Sequence, residues 1–489
     1  MSEFEKGNGK YNVVVIGGGS AGLITAAATS GLGGRVALIE RHKMGGDCLN
    51  YGCVPSKALI SSARAVDAMR KGEKWGLPRT EPEFDFLEVF NSMRKRRARI
   101  EPNDSKERFE SLGVDVFLGD AAFLSPQEVQ VGGMVLKARN FVIAAGCSAA
   151  LPPIPGLTDV KHFTNETIFD ELHEKPGNLA VIGGGPIGVE LSQTFHRLGV
   201  DVTIVEFAPQ ILLREDPDVV QFIKKQFEDE GIRILDGAET KRIAAQNGRI
   251  RFDISRKTAN NGDGENVQLD VDAVLVAAGR RPNINGLNLE AAGVAYTNNG
   301  ITVNDYLQTS QPHIYAAGDI VGPYQFTHMA DYHARIVVRN ILIPLVKSKV
   351  DYSAVPWCTY TDPEIARVGL NEADAKARNI EYDLFDELLA NVDRAIVEGD
   401  DSGFVKVLTD KGSDRILGVT LVAPHAGDLL HEFVLAMQYR IGLGKIAATI
   451  HAYPTFAEIA RKAGDKYNRS RLTPFTQKLF KWLYRRAII

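Results

Sequence analysis

Apolar runs and glycine-rich turns alternate along the first two thirds of the chain, and one such pattern occurs twice. Residues 13–40 read VVVIGGGSAGLITAAATSGLGGRVALIE; residues 179–206 read LAVIGGGPIGVELSQTFHRLGVDVTIVE, aligned without a gap at an offset of 166. Each predicts a short buried strand, a tight turn, a helix and a second strand ending in Glu. VLKARNFVIAAG (135–146), LDVDAVLVAAG (269–279) and PHIYAAGDI (312–320) predict further strands that close on glycine turns. NGDGEN (261–266) predicts a turn between strands. Beyond about residue 350 the period shortens to two. GFVKVLTD (403–410) and ILGVTLVA (416–423) predict antiparallel strands, and DLLHEFVLAMQYRI (428–441) a helix. The expected class is α/β, with two Rossmann-like dinucleotide-binding domains and a C-terminal α+β domain.

In each repeat three glycines fall as G-x-G-x-x-G: Gly17, Gly19 and Gly22, then Gly183, Gly185 and Gly188. The first opens the turn, the second admits a pyrophosphate against the backbone, and the third lets helix and strand approach. Glu40 and Glu206 stand 18 residues past the last glycine, where a carboxylate accepts from a ribose 2′-hydroxyl. Two such sites in one chain predict a resident flavin and an exchangeable nicotinamide, with a hydride passing between them.

A chain of 489 residues exceeds one core, and its 44% apolar and 24% charged content is that of a globular protein. The formal net charge of −4 gives no general pull toward nucleic acid, and none is expected as a partner. The opening MSEFEKGNGK has no apolar h-region, so no secretory signal is expected. No run reaches the roughly 20 apolar residues that a bilayer span needs. Four cysteines do not make a disulfide framework, and the expected compartment is the reducing cytoplasm.

Two of those four lie together in GGDCLNYGCVPSK (45–57) as Cys48 and Cys53, with Lys57 just after. A close pair in such a chain points to redox or metal chemistry, and no further Cys or His lies at metal-site spacing nearby. Gly45, Gly46 and Pro55 predict a turn leading into a helix. The positive end of that helix, with Lys57, favours thiolate.

Together the thiol pair, the duplicated turn and Asp319 resemble the pyridine nucleotide–disulfide oxidoreductases, over about residues 11 to 465. The resemblance implies a homodimer of multi-part subunits. An FAD domain in two pieces (1–152 and 283–349) is interrupted by an NAD(P) domain (153–282) and followed by an interface domain (350–470), with 471–489 a basic amphipathic tail. Cys48 and Cys53 would form a redox disulfide on the flavin, Cys53 in charge-transfer contact with the ring and Cys48 the interchange thiol that meets substrate. The implied FAD site comprises Gly17, Gly19, Ser20, Ala21, Gly22, Glu40, Gly46, Lys57, Gly146, Gly318 and Asp319. The implied nicotinamide site comprises Gly183, Gly185, Ile187, Gly188, Glu206 and Gly279. Lys57 and Glu190 match the family's ion pair near the reactive edge of the flavin. Glu206 repels a 2′-phosphate, so NAD(H) is expected over NADP(H), with Arg214 and His196 as cations working against that preference.

The family's second signature is His-Pro-Thr-x-x-Glu, whose His and Glu act as an acid–base pair on the partner subunit's disulfide. HAYPTFAEI (451–459) keeps Pro454, Thr455 and Glu458 but has Tyr453 at the His position. A phenol titrates near ~10 and an imidazole near ~6.5, so Tyr is a poor proton shuttle at neutral pH; His451, two residues upstream, is the alternative. Mercuric reductases are similar at this point: they too carry Tyr there, where it helps hold the metal ion, and LLREDPD (212–218) is similar to theirs. The expected acceptor is therefore a soft metal ion, held in transit by Cys48, Cys53 and Tyr453, with no structural metal. The vicinal cysteines and metal-binding module of those enzymes have no counterpart in the sequence, and Pro186 stands where several members place an aromatic gate. Two alternatives stand beside this reading. One is a disulfide reductase of the dihydrolipoyl dehydrogenase or glutathione reductase type; the other is a slow redox-sensing flavoprotein.

Cys147 and Cys358 are expected to be packed thiols. RKRRAR (94–99) is expected to be a solvated helix face. In RLTPFTQKLFKWLYRRAII (471–489), Thr473 and Pro474 predict a helix start. Phe475, Leu479, Trp482 and Leu483 share one face, against Lys478, Lys481, Arg485 and Arg486. Such a helix is expected either to lie peripherally on an anionic membrane or to pack on the dimer.

Overall fold

The structure is a computed structural model that describes residues 10–258 and 261–487. Two compact units emerge. One holds the chain through Asp67, Pro82–Ile211 and Phe227–Val350; the other holds Ala68–Glu81, Leu212–Gln226 and the chain from Asp351.

In the first unit the opening layer runs β1 (Lys10–Ile16), α1 (Ser20–Gly31), β2 (Val36–Glu40), α2 (Cys53–Arg70), β3 (Val114–Leu118) and β4 (Met134–Ile143). The parallel order is β3-β2-β1-β4, and short antiparallel strands over 128–131 and 121–125 extend it. Every residue of β2 is buried, as a strand covered on both faces requires, which is why it reads as an unbroken apolar run.

The second layer repeats the first. It runs β5 (Asn178–Ile182), α3 (Pro186–Arg197), β6 (Asp201–Val205), β7 (Arg233–Leu235), then β8 (Ala238–Gln246), β9 (Arg249–Thr258), β10 (Asn261–Val271) and β11 (Ala273–Val276). The parallel order is β7-β6-β5-β11. Val15 lies opposite Leu38 in the first sheet and Val181 opposite Ile204 in the second, so the offset of 166 holds in strand register as well as in sequence. NGDGEN is not a turn. Its backbone continues β10, pairing Glu265 with Arg256 and Asn266 with Ser255. The ladder to β9 outweighs the local turn preference of Asn and Gly.

The chain then returns to the first sheet as β12 (Ile314–Ala316), parallel to β4 with Ile314 opposite Phe141. Next comes α4 (Thr327–Leu342). Ala21, Ala26 and Ala330 share one core with β1 and β2, small residues that let α1 and α4 approach.

The second unit is an antiparallel sheet of β13 (Pro356–Thr359), β14 (Glu364–Gly369), β15 (Tyr382–Leu388), β16 (Phe404–Asp410) and β17 (Ile416–Ala423), ordered β13-β14-β17-β16-β15. Phe433 of α5 (His431–Gln438) and Ile459 and Ala463 of α6 (Glu458–Ser470) fill its core. The helix expected over 428–441 is two pieces, Ala426–Leu429 and α5. LLREDPD joins this unit: Trp357 donates to Glu215 (3.1 Å), and the buried Lys406 ammonium meets Asp216 (3.2 Å) and Asp218 (2.9 Å). The last helix is α7 (Pro474–Ala487). Among the described residues no helix is long and apolar enough to cross a membrane.

RKRRAR is more than a solvated face. Arg94 donates to the Phe169 carbonyl (3.0 Å), Arg96 to that of Ala58 (3.2 Å) and Arg97 to Asp170 (2.6 Å). Guanidinium groups of one helix cap carbonyls and a carboxylate of neighbouring segments, a use that a charge run in sequence does not reveal.

Candidate redox site

Both glycine-rich turns are built alike. A Cβ on Gly22 would lie 1.8 Å from the Gly17 carbonyl oxygen; on Gly188 it would lie 1.9 Å from that of Gly183. Only glycine lets each helix sit this close to its strand. Each carboxylate at the end of the second strand reaches back into the turn. Glu40 accepts from the Gly18 N–H (2.6 Å) and the His42 N–H (2.7 Å); Glu206 accepts from the Gly184 N–H (2.5 Å) and the Ala208 N–H (2.6 Å). Bonds of this charge-assisted kind contribute about 1.5–3 kcal/mol each. Sequence reasoning assigned these carboxylates to ribose alone and missed that they prop the turn. Each oxygen keeps a second lone pair, so the two roles are compatible.

The residues present fit dinucleotides. Gly19 and Gly185 stand as N-caps of α1 and α3 with no side-chain cap, leaving first-turn N–H groups to a phosphate. A Cβ on Gly185 would meet nothing within 4 Å. Ser20 and Ala21 open α1, and Ile187 follows Pro186 in the first turn of α3. Gly146 (φ 65°) and Gly279 (φ 116°) turn the chain after β4 and β11.

Against the first turn lies the segment that carries the thiols. The Gly45 N–H donates to the Gly18 carbonyl (2.9 Å). Gly46, at φ 58°, sits where a Cβ would come 2.6 Å from the Gly19 Cα. Cys48 lies on a single helical turn, Gly46–Asn50, and Cys53 is the first residue of α2. Both are free thiols in this structure, and their side chains hydrogen-bond each other. The Cys53 Sγ lies 3.4 Å from Oγ1 of Thr327, the first residue of α4. Two helix N-termini thus meet at one sulfur, which favours negative charge there. Cys53 is lowered to about 6 by the Cys48 hydrogen bond above all, then by Thr327 and the Lys57 charge, against the opposing effect of burial. Cys48 is pushed up by donating that bond and by burial. Above about pH 6 the pair therefore favours the proton on Cys48 and negative charge on Cys53.

Lys57 of α2 binds Glu190 of α3 at 2.7 Å, joining the two layers beside the thiols. On the other side Arg280 bridges Asp47 (3.1 Å) and Asp319 (3.2 Å) and donates to the Cys147 carbonyl (3.2 Å). Burial pushes both carboxyls up while the guanidinium pulls them down. Among the described residues the buried Arg280 Nε has no partner. Gly318, with φ 79°, donates to Nδ1 of His333 (3.3 Å), and burial lowers that imidazole to about 4. Thr327, Arg280, Asp47 and His333 all escaped sequence reasoning. Asp47 stands beside Cys48 in the quoted motif and was the one legible signal.

In the second unit Tyr453 is 68% exposed and its hydroxyl donates to Asp393 (2.8 Å), which raises its pKa. His451 is engaged at both nitrogens, Nε2 with Glu432 (3.0 Å) and Nδ1 with the Thr449 carbonyl (3.0 Å). Glu458 opens α6, accepts from Arg461 (3.0 Å) and is buried. Cys147 is buried and Cys358 partly buried.

Two dinucleotide cradles flanking a thiol–thiolate pair define a nicotinamide- and flavin-linked thiol oxidoreductase. Residues 11–334 match the pyridine nucleotide-disulphide oxidoreductase family and residues 355–463 its dimerisation domain. The chain belongs to this family. It is 34% identical over 462 residues to a mercuric reductase of Lysinibacillus sphaericus (94% of this chain, 83% of that one). It is equally identical, 34% over 457 residues, to a dihydrolipoyl dehydrogenase of Chlamydia muridarum (92% and 96%). Among solved structures it resembles the Cu(II) complex of RclA, an HOCl-induced flavoprotein disulfide reductase from Escherichia coli. There the TM-score is 0.82 at 28% identity, over 94% of this chain and 99% of that one. The chain is thus an FAD- and NAD(P)H-dependent oxidoreductase with a redox-active disulfide.

Proposed function

We propose that this protein takes electrons from NADH and delivers them through Cys48 and Cys53 to a soft, thiophilic metal ion such as mercury(II) or copper(II). The observation that carries this reading is the phenol at position 453, with His451 engaged at both nitrogens. Reduction of a disulfide is speeded by a group that protonates the leaving thiolate, and a phenol bound to Asp393 keeps its proton at neutral pH. A metal ion needs no proton: two thiolates supply soft ligands, and a phenol oxygen adds a harder one. The names of the mercuric reductase relative and of the RclA copper complex support the same class of acceptor.

In this reading 1–152 and 283–349 hold the flavin, 153–282 the nicotinamide and 350–470 the contact with a second copy, where Tyr453 and Glu458 reach the partner's thiols. Bound FAD supplies a two-electron relay between nicotinamide and the thiol pair. The chain's own work is to hold the phosphates on the α1 and α3 termini, to anchor Lys57 on Glu190, and to keep Cys53 ionised. As the reduced pair closes to a disulfide it releases two electrons and the Cys48 proton; one mercury(II), or two copper(II), accepts the electrons. Glu206 places a carboxylate where a 2′-phosphate would sit and selects NADH.

The test is anaerobic reduction by NADH followed by one acceptor at a time. The long-wavelength thiolate–flavin absorbance is expected to discharge within the mixing time on adding mercury(II) or copper(II), and to persist with lipoamide or glutathione disulfide. Discharge by a small disulfide at a comparable rate refutes the metal assignment. Tyr453→Phe is expected to slow metal turnover about tenfold with NADH reduction unchanged.

A further inference from the structure

Helix α7 comprises fourteen residues, PFTQKLFKWLYRRA, without one acidic side chain and with Lys478, Lys481, Arg485 and Arg486. Phe475, Leu479, Phe480, Trp482, Leu483 and Tyr484 remain 42–76% exposed on it. At helical spacing Phe475, Leu479, Trp482 and Leu483 share an arc that Phe480 and Tyr484 widen, while Lys478, Lys481 and Arg485 gather opposite. The Arg486 guanidinium stands 4.1 Å from the centre of the Trp482 ring, a cation–π pair that keeps an aromatic and a charge at one level. The helix starts from its own cap, the Thr476 N–H donating to Thr473 Oγ1 (3.2 Å). It also lies outside the matched dimerisation segment, which ends at residue 463.

Six exposed large apolar groups beside four cations match one kind of surface. An acyl layer accepts the apolar arc, and anionic headgroups accept Lys478, Lys481 and Arg485 at its rim, with Arg486 at the helix end held on the Trp482 ring. A nucleic-acid backbone would satisfy the charges but offers no seat for Leu479 or Leu483. We propose that α7 lies in the plane of an anionic phospholipid bilayer and docks the reductase there.

The test uses the full flavoprotein and a version ending at Arg471, floated with phosphatidylcholine vesicles and with phosphatidylcholine–phosphatidylglycerol vesicles. Both proteins are expected to keep bound flavin and NADH oxidation. Full-length protein is expected to float with the anionic vesicles and to release at high salt, and the shortened one to stay behind. Lys478→Glu with Lys481→Glu is expected to weaken partitioning on the order of a hundredfold. Trp482 emission is expected to shift to the blue on binding, read as the difference between full-length protein and Trp482→Phe. Equal flotation of the two lengths overturns the proposal, and so does equal binding to neutral vesicles. Loss of the dimer on shortening, without any lipid binding by the full chain, would show instead that α7 covers a second copy. Displacement of the vesicles by RNA would show a nucleic-acid face.

Discussion

The two glycine-rich turns share sequence, register and the carboxylate prop, yet they differ in what leans on them. The first is backed by the thiol segment, with Gly46 against Gly19 and the Gly45 N–H on the Gly18 carbonyl. At the second a Cβ on Gly185 would meet open space. Glu40 is buried, whereas Glu206 is only partly so. One duplicated cradle can therefore serve a cofactor that stays and another that comes and goes. The difference lies in a neighbouring segment rather than in the motif.

That contrast can be broken most sharply at the third glycines. Gly22→Val is expected to leave a protein that purifies without flavin. Gly188→Val is expected to stay yellow but lose about a hundredfold in kcat/KM for NADH, since a shift of an ångström at a hydride donor costs that much. If both variants lose flavin alike, the asymmetry is wrong. Next in size, Gly46→Ala forces a Cβ toward Gly19. Flavin dissociation is expected to rise about tenfold with KM for NADH unchanged, a change of about 1.4 kcal/mol read by fluorescence of released FAD.

A third test concerns charge around the buttressing segment. Removing the guanidinium with Arg280→Met leaves Asp47 and Asp319 uncompensated beside the thiols. The midpoint for Cys53, now about 6, is expected to climb by about one unit, and Asp47→Asn in the same chain to bring it back. Thiolate absorbance against pH measures both. Cys53 titrates in the folded protein below the ordinary thiol value of 9.0, so its ionisation stabilises the reduced fold fully above that value. The gain is lost as pH falls through about 6. The smallest effect is expected at the open cradle: Glu206→Gln should narrow the NADH-to-NADPH preference about threefold in kcat/KM, and no change in that ratio would remove Glu206 from cofactor choice.

Much of this was legible in the chain because short-range rules govern it. The duplicated strand–turn–helix depends on apolar runs and on glycines at set spacing, so both sheets and the start of α2 at the thiols were readable. What was not readable depends on distant partners. Thr327 meets Cys53 across 274 positions, and Arg280 reaches Asp47 across more than two hundred; neither has a local signature. NGDGEN shows the reverse failure, a turn composition held straight by its partner strand β9. The tie of LLREDPD to Lys406 is likewise invisible in a sequence where the only cation beside the three acids is Arg214, and Lys406 stands nearly two hundred positions away.

The carboxylates that prop the two turns belong to the polypeptide, and this bears on how the protein is loaded. A turn braced by its own chain needs no nucleotide to take shape. Stripped of flavin, the protein should keep a ready-made berth, so that reconstitution proceeds at the pace of encounter, not of refolding.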